Sequence, residues 1–206
     1  MDGCRAGGIY LFECEDINIR RCTVRAYKGD GISFQVSQRV SVEDCTCEGN
    51  GGLGLHPGSG SQHPVLRRNR SLNNDRDGLY VCWRVKYGLF EDNEIRGNRG
   101  AGLSIGHKDT DNLFRRNILT ANGGSGVLFR QESEAMGAHR NVFENNEIVD
   151  NGPDRPPVDI RGYHHDLVFR ANVFSRPADG KTIRISEHST GLRDEGNRIV
   201  EAKAGP

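Results

Sequence analysis

A chain of 206 residues is long enough for one ordinary domain or one uninterrupted repeat array. Its 28 basic and 28 acidic side chains cancel, which leaves no global basic field for nucleic acid and no polybasic segment for a membrane surface. Hydrophobic residues make up 34%, sparse for a large spherical core, and no apolar run approaches the ~18–20 residues of a membrane helix.

The chain opens with Met1-Asp2-Gly3-Cys4, which has neither the basic nor the apolar region of a signal peptide. The compartment therefore stays open, with secretion or the periplasm expected if the chain is a segment of an exported protein. The first strand pattern, a small or turn residue followed by apolar-x-apolar, begins at Gly8-Ile9-Tyr10-Leu11. It returns at Gly31-Ile32-Ser33-Phe34, Gly52-Leu53-Gly54-Leu55, Gly78-Leu79-Tyr80-Val81, Gly102-Leu103-Ser104-Ile105 and Gly126-Val127-Leu128-Phe129. Looser copies follow at Pro157-Val158-Asp159-Ile160 and Thr182-Ile183-Arg184-Ile185.

A second series runs in step, each member just after a short apolar doublet or triplet: Cys22, Cys45, Asn69, Asn93, Asn117, Asn146, Asn172 and Asn197. Two locked series with a step near 24 residues mean a solenoid, in which each coil buries its apolar side against its neighbours. Residues 102–125 show one coil. Leu103 and Ile105 alternate with Ser104 and Gly106, then Leu113-Phe114 and Ile118-Leu119 follow, separated by polar or Gly-rich turns. That predicts three short strands per coil and almost no helix. The Asn column is expected to supply left-handed backbone at a sharp bend and amides that bond from rung to rung. The sequon Asn69-Arg70-Ser71 then points inward and is discounted as a glycosylation site. Of the six cysteines (4, 14, 22, 45, 47, 82), Cys22 and Cys45 occupy ladder positions, so buried thiols are expected, although rungs ~4.8 Å apart also permit a bridge.

These strands and this column, over about residues 8–200, resemble the right-handed parallel β-helix proteins of the pectate-lyase-like superfamily. The resemblance implies an all-β, single-stranded right-handed parallel β-helix of about eight coils, roughly 24 residues each. It also implies a polysaccharide or oligosaccharide ligand along the outer face of the first sheet. The polygalacturonase, alginate-epimerase and pectate-lyase signatures are all missing, so the subfamily stays open.

Alternation sends Tyr10, Ser33, Gly54, Tyr80, Ser104 and Leu128 outward in one column, and Phe12, Gln35, His56, Cys82, Gly106, Arg130 and Arg161 in the next. Longer turns at 56–64 and 131–139 are expected to wall a groove floored by Tyr80, Cys82, Ser104 and Gly106. The candidate catalytic residues are His107, Lys108, Asp109, Arg130, Glu132 and Tyr80; His56, Trp83, Arg84, Ser104 and Arg161 are candidates for substrate binding. Arg130 or Lys108 would neutralise a uronate carboxylate, and both are expected to be exposed. His107 or Lys108 would take the C5 proton, Tyr80 or Glu132 would protonate the leaving oxygen, and Trp83 would stack on a pyranose. That describes a lyase or epimerase acting on an acidic polysaccharide. An inverting glycosidase using Asp109 and Glu132 and a non-catalytic glycan-binding solenoid are the alternatives, since solvated turns carry charge anyway. His164-His165-Asp166 is read as a surface turn. No metal ligand set stands out, although calcium is an open option at Asp75…Asp77 or Asp109…Asp111. The whole of 1–206 reads as one domain with short ends, residues 1–7 and 201–206, that lack caps. A longer parent chain or end-to-end association is therefore expected.

Overall fold

The structure, a computed structural model, describes residues 7–177 and 179–201. Short strands separated by bends stack coil upon coil into three parallel sheets of eight strands each. The first sheet runs from Ile9–Phe12 to Ile183–Ile185, the second from Asn18–Arg20 to Arg193–Glu195, and the third from Thr23–Arg25 to Arg198–Val200. Pairing follows the sequence repeat: Ile9 lies beside Ile32, Leu79 beside Leu103, and Phe90 beside Phe114. The chain is thus a β-solenoid of about eight turns. A 3₁₀ turn, Glu134–Met136, is the one helical element among the described residues. Cys4 and the end segments 1–6 and 202–206 lie outside them.

Because each coil repeats its neighbour, like stacks on like. Phe90, Phe114, Phe143 and Phe169 form a column with ring centroids 4.6, 4.5 and 4.8 Å apart, all fully buried. Offset aromatic pairs of this kind are each worth ~0.5–1.5 kcal/mol beyond the area they bury.

The Asn column forms the expected ladder. Asn69 Nδ2 donates to Asn93 Oδ1 at 3.0 Å, Asn93 to Asn117 at 2.9 Å, and Asn117 to Asn146 at 3.0 Å. Each Oδ1 also accepts the backbone N–H of the preceding rung, as Asn117 does from Asn93 at 3.1 Å. Cys45 and Cys22 continue the column. The Cys45 amide donates to Asn69 Oδ1 at 3.0 Å, and the Cys22 amide meets Cys45 Sγ at 3.5 Å. All five described cysteines are free thiols. Asn69 is buried, as its discounted sequon requires.

The reason expected for asparagine needs correcting. The left-handed residue at each bend is the one before it: Arg68 at φ 54°, Asp92 at 57°, Arg116 at 52°. The ladder Asn is there for its amide, not for its backbone. A second ladder, Asn50, Asn74, Asn98, Asn122 and Asn151, closes the next bend in the same way. Its sequence signal is an Asn five residues after each of Cys45, Asn69, Asn93, Asn117 and Asn146.

Two further corrections bear on the outer face. Leu55 pairs with Ile32 and Leu79, so the strand is Leu55–Ser59 and Leu53-Gly54 lead into it. His56, not Gly54, therefore joins Ser33 and Tyr80 in the outward column. Nor is 56–64 a long turn, because Ser61 reaches the bend at the same offset from Leu55 as Asp109 does from Leu103. The insertion after Val127 is real. The strand Val127–Glu132 shifts register between Phe129 and Glu132 and leads into the 3₁₀ turn. Such bulges re-aim side chains next to functional sites.

Candidate functional site

Arg130 is the centre of the outer face. The bulge folds its side chain back across two coils, leaving it 14% exposed rather than open to solvent as expected. Nη1 donates to Ser104 Oγ at 3.0 Å and Nη2 to the Val81 carbonyl at 2.8 Å. The guanidinium carbon stands 4.4 Å over the Tyr80 ring, within cation–π range. Nη2 also lies 3.4 Å from Asp109 Oδ2 and 3.4 Å from His107 Nδ1.

Asp109 is completely buried. It occupies an inner bend column, where Oδ1 accepts the Val85 amide at 2.9 Å and Oδ2 the Gly106 amide at 3.2 Å. Burial pushes its carboxyl up to about 7, against the opposing pull of those amides and of Arg130. Glu132 is also buried, its Oε1 lying 3.1 Å from His107 Nδ1 and 4.0 Å from Arg130 Nε. Neither Glu132 Oε1 nor Arg130 Nε has a hydrogen-bond partner within the protein. Both lie over Gly106, where a Cβ would sit 2.6 Å from Oε1 and 3.0 Å from Nε, so any other residue there would have to push them aside.

His107 is partly exposed, with its ring 5.1 Å from that of Trp83. Burial lowers its pKa; Glu132 opposes the shift and Arg130 adds to it, so the imidazole is neutral at neutral pH. Burial pushes the Tyr80 phenol up to about 12, which keeps its proton in place. Lys108 is exposed beside His107, with its amide on the Met136 carbonyl at 2.8 Å.

The structure thus gathers Tyr80, Ser104, His107, Asp109, Arg130 and Glu132, with Lys108 at the rim. Trp83 is 47% exposed and Arg84 is exposed next to it. Arg161 stays apart, clamped to Asp159 at 2.6 Å. His56 lies on the other side of Tyr80, its ring edge-on at 5.4 Å. Its Nδ1 donates to Asp30 Oδ2 at 2.8 Å, a partner the alternating pattern does not announce because Asp30 sits in the turn before Ile32–Gln35. The expected groove floor is filled by Arg130 over Ser104 and Gly106. The open cavity, about 610 Å³, lies over the earlier coils and is bordered by Tyr80, Cys82, Trp83, His56 and Tyr10.

His164 is no surface residue: it is buried and accepts the Ala138 amide at 2.9 Å. The carboxylates considered for calcium are engaged elsewhere. Asp111 pairs with Arg140 at 2.7 Å, Asp75 with Arg99 at 3.2 Å, and Asp77 accepts the Ala101 amide at 2.7 Å. Among the described residues no three His, Cys, Asp or Glu side chains converge as a metal site.

The family model of the right-handed β-helix region matches residues 1–135. The chain belongs to this right-handed β-helix family. No curated protein sequence matches it significantly. Among solved structures, the periplasmic alginate epimerase AlgG superposes with a TM-score of 0.78 at 17% identity, over 94% of this chain and 47% of that one. The A-module of the Azotobacter vinelandii mannuronan C-5 epimerase AlgE4 gives 0.65 at 18%, over 92% and 61%. The Dettilon tailspike protein gives 0.54 at 12%, over 94% and 55%. At these identities the likeness is one of fold, and this β-helix spans less than half the length of the AlgG chain. Among its described residues no helix is long and apolar enough to cross a membrane.

Proposed function

We propose that the outer face of the first sheet binds a uronate-containing polysaccharide and removes the C5 proton of one uronate, as a lyase or an epimerase. The observation that carries this reading is the placement of Arg130, a fixed guanidinium held on Tyr80, Ser104 and Asp109 with a neutral imidazole 3.4 Å away. A uronate carboxylate set against Arg130, with exposed Lys108 as a second cation, would lose the charge that opposes C5–H ionisation.

His107 is the base. In the tautomer that carries its proton on Nδ1, 3.1 Å from Glu132 Oε1 but not aligned for a hydrogen bond, Nε2 is left to accept the C5 proton. The C5–H electron pair passes into the carboxylate-conjugated enolate. In a lyase the C4–O bond then breaks as C4=C5 forms, with Tyr80 giving its proton to the leaving oxygen; in an epimerase the Tyr80 proton goes instead to C5 from the face opposite His107. Trp83 offers a stacking surface, and Ser104 and Asp109 act through Arg130 as positioning residues. The alginate epimerases among the structurally similar proteins support the substrate class. The hydrolase reading gains no support, since Asp109 is buried where no glycosidic oxygen reaches it.

The test is a screen of acidic and neutral polysaccharides for near-ultraviolet absorbance, reducing ends and altered anomeric proton spectra. Growth in absorbance identifies the lyase, and changed spectra without chain cleavage the epimerase. Reducing ends alone, or no change on any polymer, would sink the proposal. Arg130→Ala and His107→Ala are expected to cost at least ~10²-fold in rate.

A further inference from the structure

The cavity beside Tyr80 has a different chemistry from the Arg130 cluster. It spans the first four coils, from Tyr10 to Trp83, and among its described lining residues there is no Lys or Arg. Its acid is Asp30, whose Oδ1 accepts the Leu53 amide at 2.8 Å and whose Oδ2 meets His56 Nδ1 at 2.8 Å. Burial alone would raise the Asp30 carboxyl, but the hydrogen bonds from His56 and Leu53, with the fields of His56 and Arg76, hold it below its ordinary value. Asp30 is therefore charged at neutral pH. Arg130 stands on the far side of Tyr80, its guanidinium bonded to Ser104 and Val81.

With Nδ1 turned to Asp30, His56 presents Nε2 as an acceptor. The Gln35 amide nitrogen is engaged by Ser33 Oγ at 3.1 Å, which leaves its carbonyl as a further acceptor. The wall thus offers acceptors and one negative charge beside the hydroxyls of Ser33 and Tyr80, which suits sugar hydroxyls and opposes a carboxylate. At its two ends Tyr10 and Trp83, 59% and 47% exposed, offer aromatic faces of the kind that pyranose rings stack on.

We infer that this cavity is a separate subsite for an uncharged sugar ring, so that the substrate is a heteropolysaccharide in which a neutral sugar adjoins the uronate. This deepens the proposed function and rests on it for the uronate half only. The subsite excludes pure polyuronates from the first four coils and admits neutral residues there.

Trp83, the only tryptophan of the chain, borders both the cavity and His107, so its fluorescence reports binding on either side without turnover, and Arg130→Ala separates the two. Gluco-, manno- and galacto-oligosaccharides and oligouronates of equal length would be titrated into the wild type and into Arg130→Ala, which removes the uronate anchor. The expected result is a saturable change with at least one neutral series in both proteins, and binding of oligouronates to Arg130→Ala weaker by about tenfold or more. Asp30→Asn narrows that gap, and Tyr10→Ala, at an exposed position that leaves folding intact, weakens the neutral response. Equal responses to oligouronates and neutral sugars in Arg130→Ala, or no neutral response in either protein, would overturn the subsite. Should Arg130→Ala fail to fold, the Asp30→Asn and Tyr10→Ala comparison in the wild-type background decides the same question. Absence of uronate turnover with the neutral response intact would remove the proposed reaction and leave the subsite standing.

Discussion

Two bend columns run the length of the solenoid, and they are built on opposite plans. In the Asn ladder each coil from Asn69 to Asn197 solves the bend with the same amide. In the column closing the first sheet the corresponding residues are Cys14, Ser37, Ser61, Val85, Asp109, Ala138, His164 and Ser189. The backbone demand there is similar, an acceptor for a buried N–H. Ser61 Oγ takes the Ser37 amide at 3.1 Å, Asp109 the Val85 amide at 2.9 Å, and His164 Nδ1 the Ala138 amide at 2.9 Å. Val85 and Ala138 supply no acceptor, and the Ser61 and Asp109 amides facing them turn to the Gly58 and Gly106 carbonyls at 3.1 and 2.9 Å, so the identity of the side chain is free to be chosen for something else. Asp109, the rung lying under Arg130, is where that freedom meets the candidate site. A uniform column marks scaffold, and a column free to change its residue has room for chemistry.

The sharpest way to break this comparison is in the uniform column. Asn117→Ala strands the Asn93 amide, which it accepts from at 3.1 Å, leaves Asn93 Nδ2 with the Leu66 carbonyl as its remaining partner, and frees the Phe90 carbonyl it donates to at 2.9 Å. At ~1–3 kcal/mol for each buried group left unpaired, a loss of about 3–5 kcal/mol is expected in urea unfolding. Native-like stability would show that the ladder is ornament.

The irregular column should respond to pH instead. The folded-state pKa of Asp109 is raised from 3.8 to about 7, so folding favours the protonated acid. Its contribution is complete below 3.8 and is lost as pH rises to about 7. Asp109→Asn starts lower, since Nδ2 cannot accept the Gly106 amide, but lacks this titration. The stability difference between wild type and variant should therefore shrink from pH 4 to 7 and level off above. Parallel unfolding curves at both ends of that range would contradict the assignment of Asp109.

The fold was legible because a solenoid writes its contacts in the sequence at a fixed interval. Leu79 beside Leu103 and Asn93 beside Asn117 are neighbours by arithmetic. What periodicity cannot carry is a departure from it. The two-residue misreading at Gly52-Leu53-Gly54-Leu55 arose because Leu53 and Leu55 fit the pattern equally well; pairing with Ile32 and Leu79 selects Leu55. The same slip separated His56 from Tyr80 and hid its bond to Asp30. The burial of Arg130 was equally invisible, since it follows from a bulge that an alternating pattern does not announce.

A third test probes the fit above Gly106. Gly106→Ala places a Cβ against Glu132 Oε1 and Arg130 Nε, and displacing them should cost ~1–3 kcal/mol as overpacking does. Stability and activity should part company here. The coil tolerates the methyl, while the guanidinium moves off Tyr80 and turnover on the uronate polymer falls further than stability does. Equal losses in both would reduce Gly106 to a packing residue.

The smallest effect is expected where a column is regular but exposed. Arg68 pairs with Asp44 at 2.7 Å and Arg116 with Asp92 at 2.8 Å, at equivalent places on the second sheet's rim. The hydrogen bond from Arg68 holds Asp44 below its ordinary carboxylate range, yet solvent screens both charges and the long arginine side chain loses freedom in pairing. Arg68→Ala should leave the urea midpoint within experimental scatter of the wild type at physiological salt. A small deficit should emerge only at low ionic strength, as the screening length grows. A loss approaching that of Asn117→Ala would mean that repetition itself stabilises the solenoid. The expected null result assigns the stability to burial of the repeated bond, which the amide ladder has and the Arg68–Asp44 pair lacks.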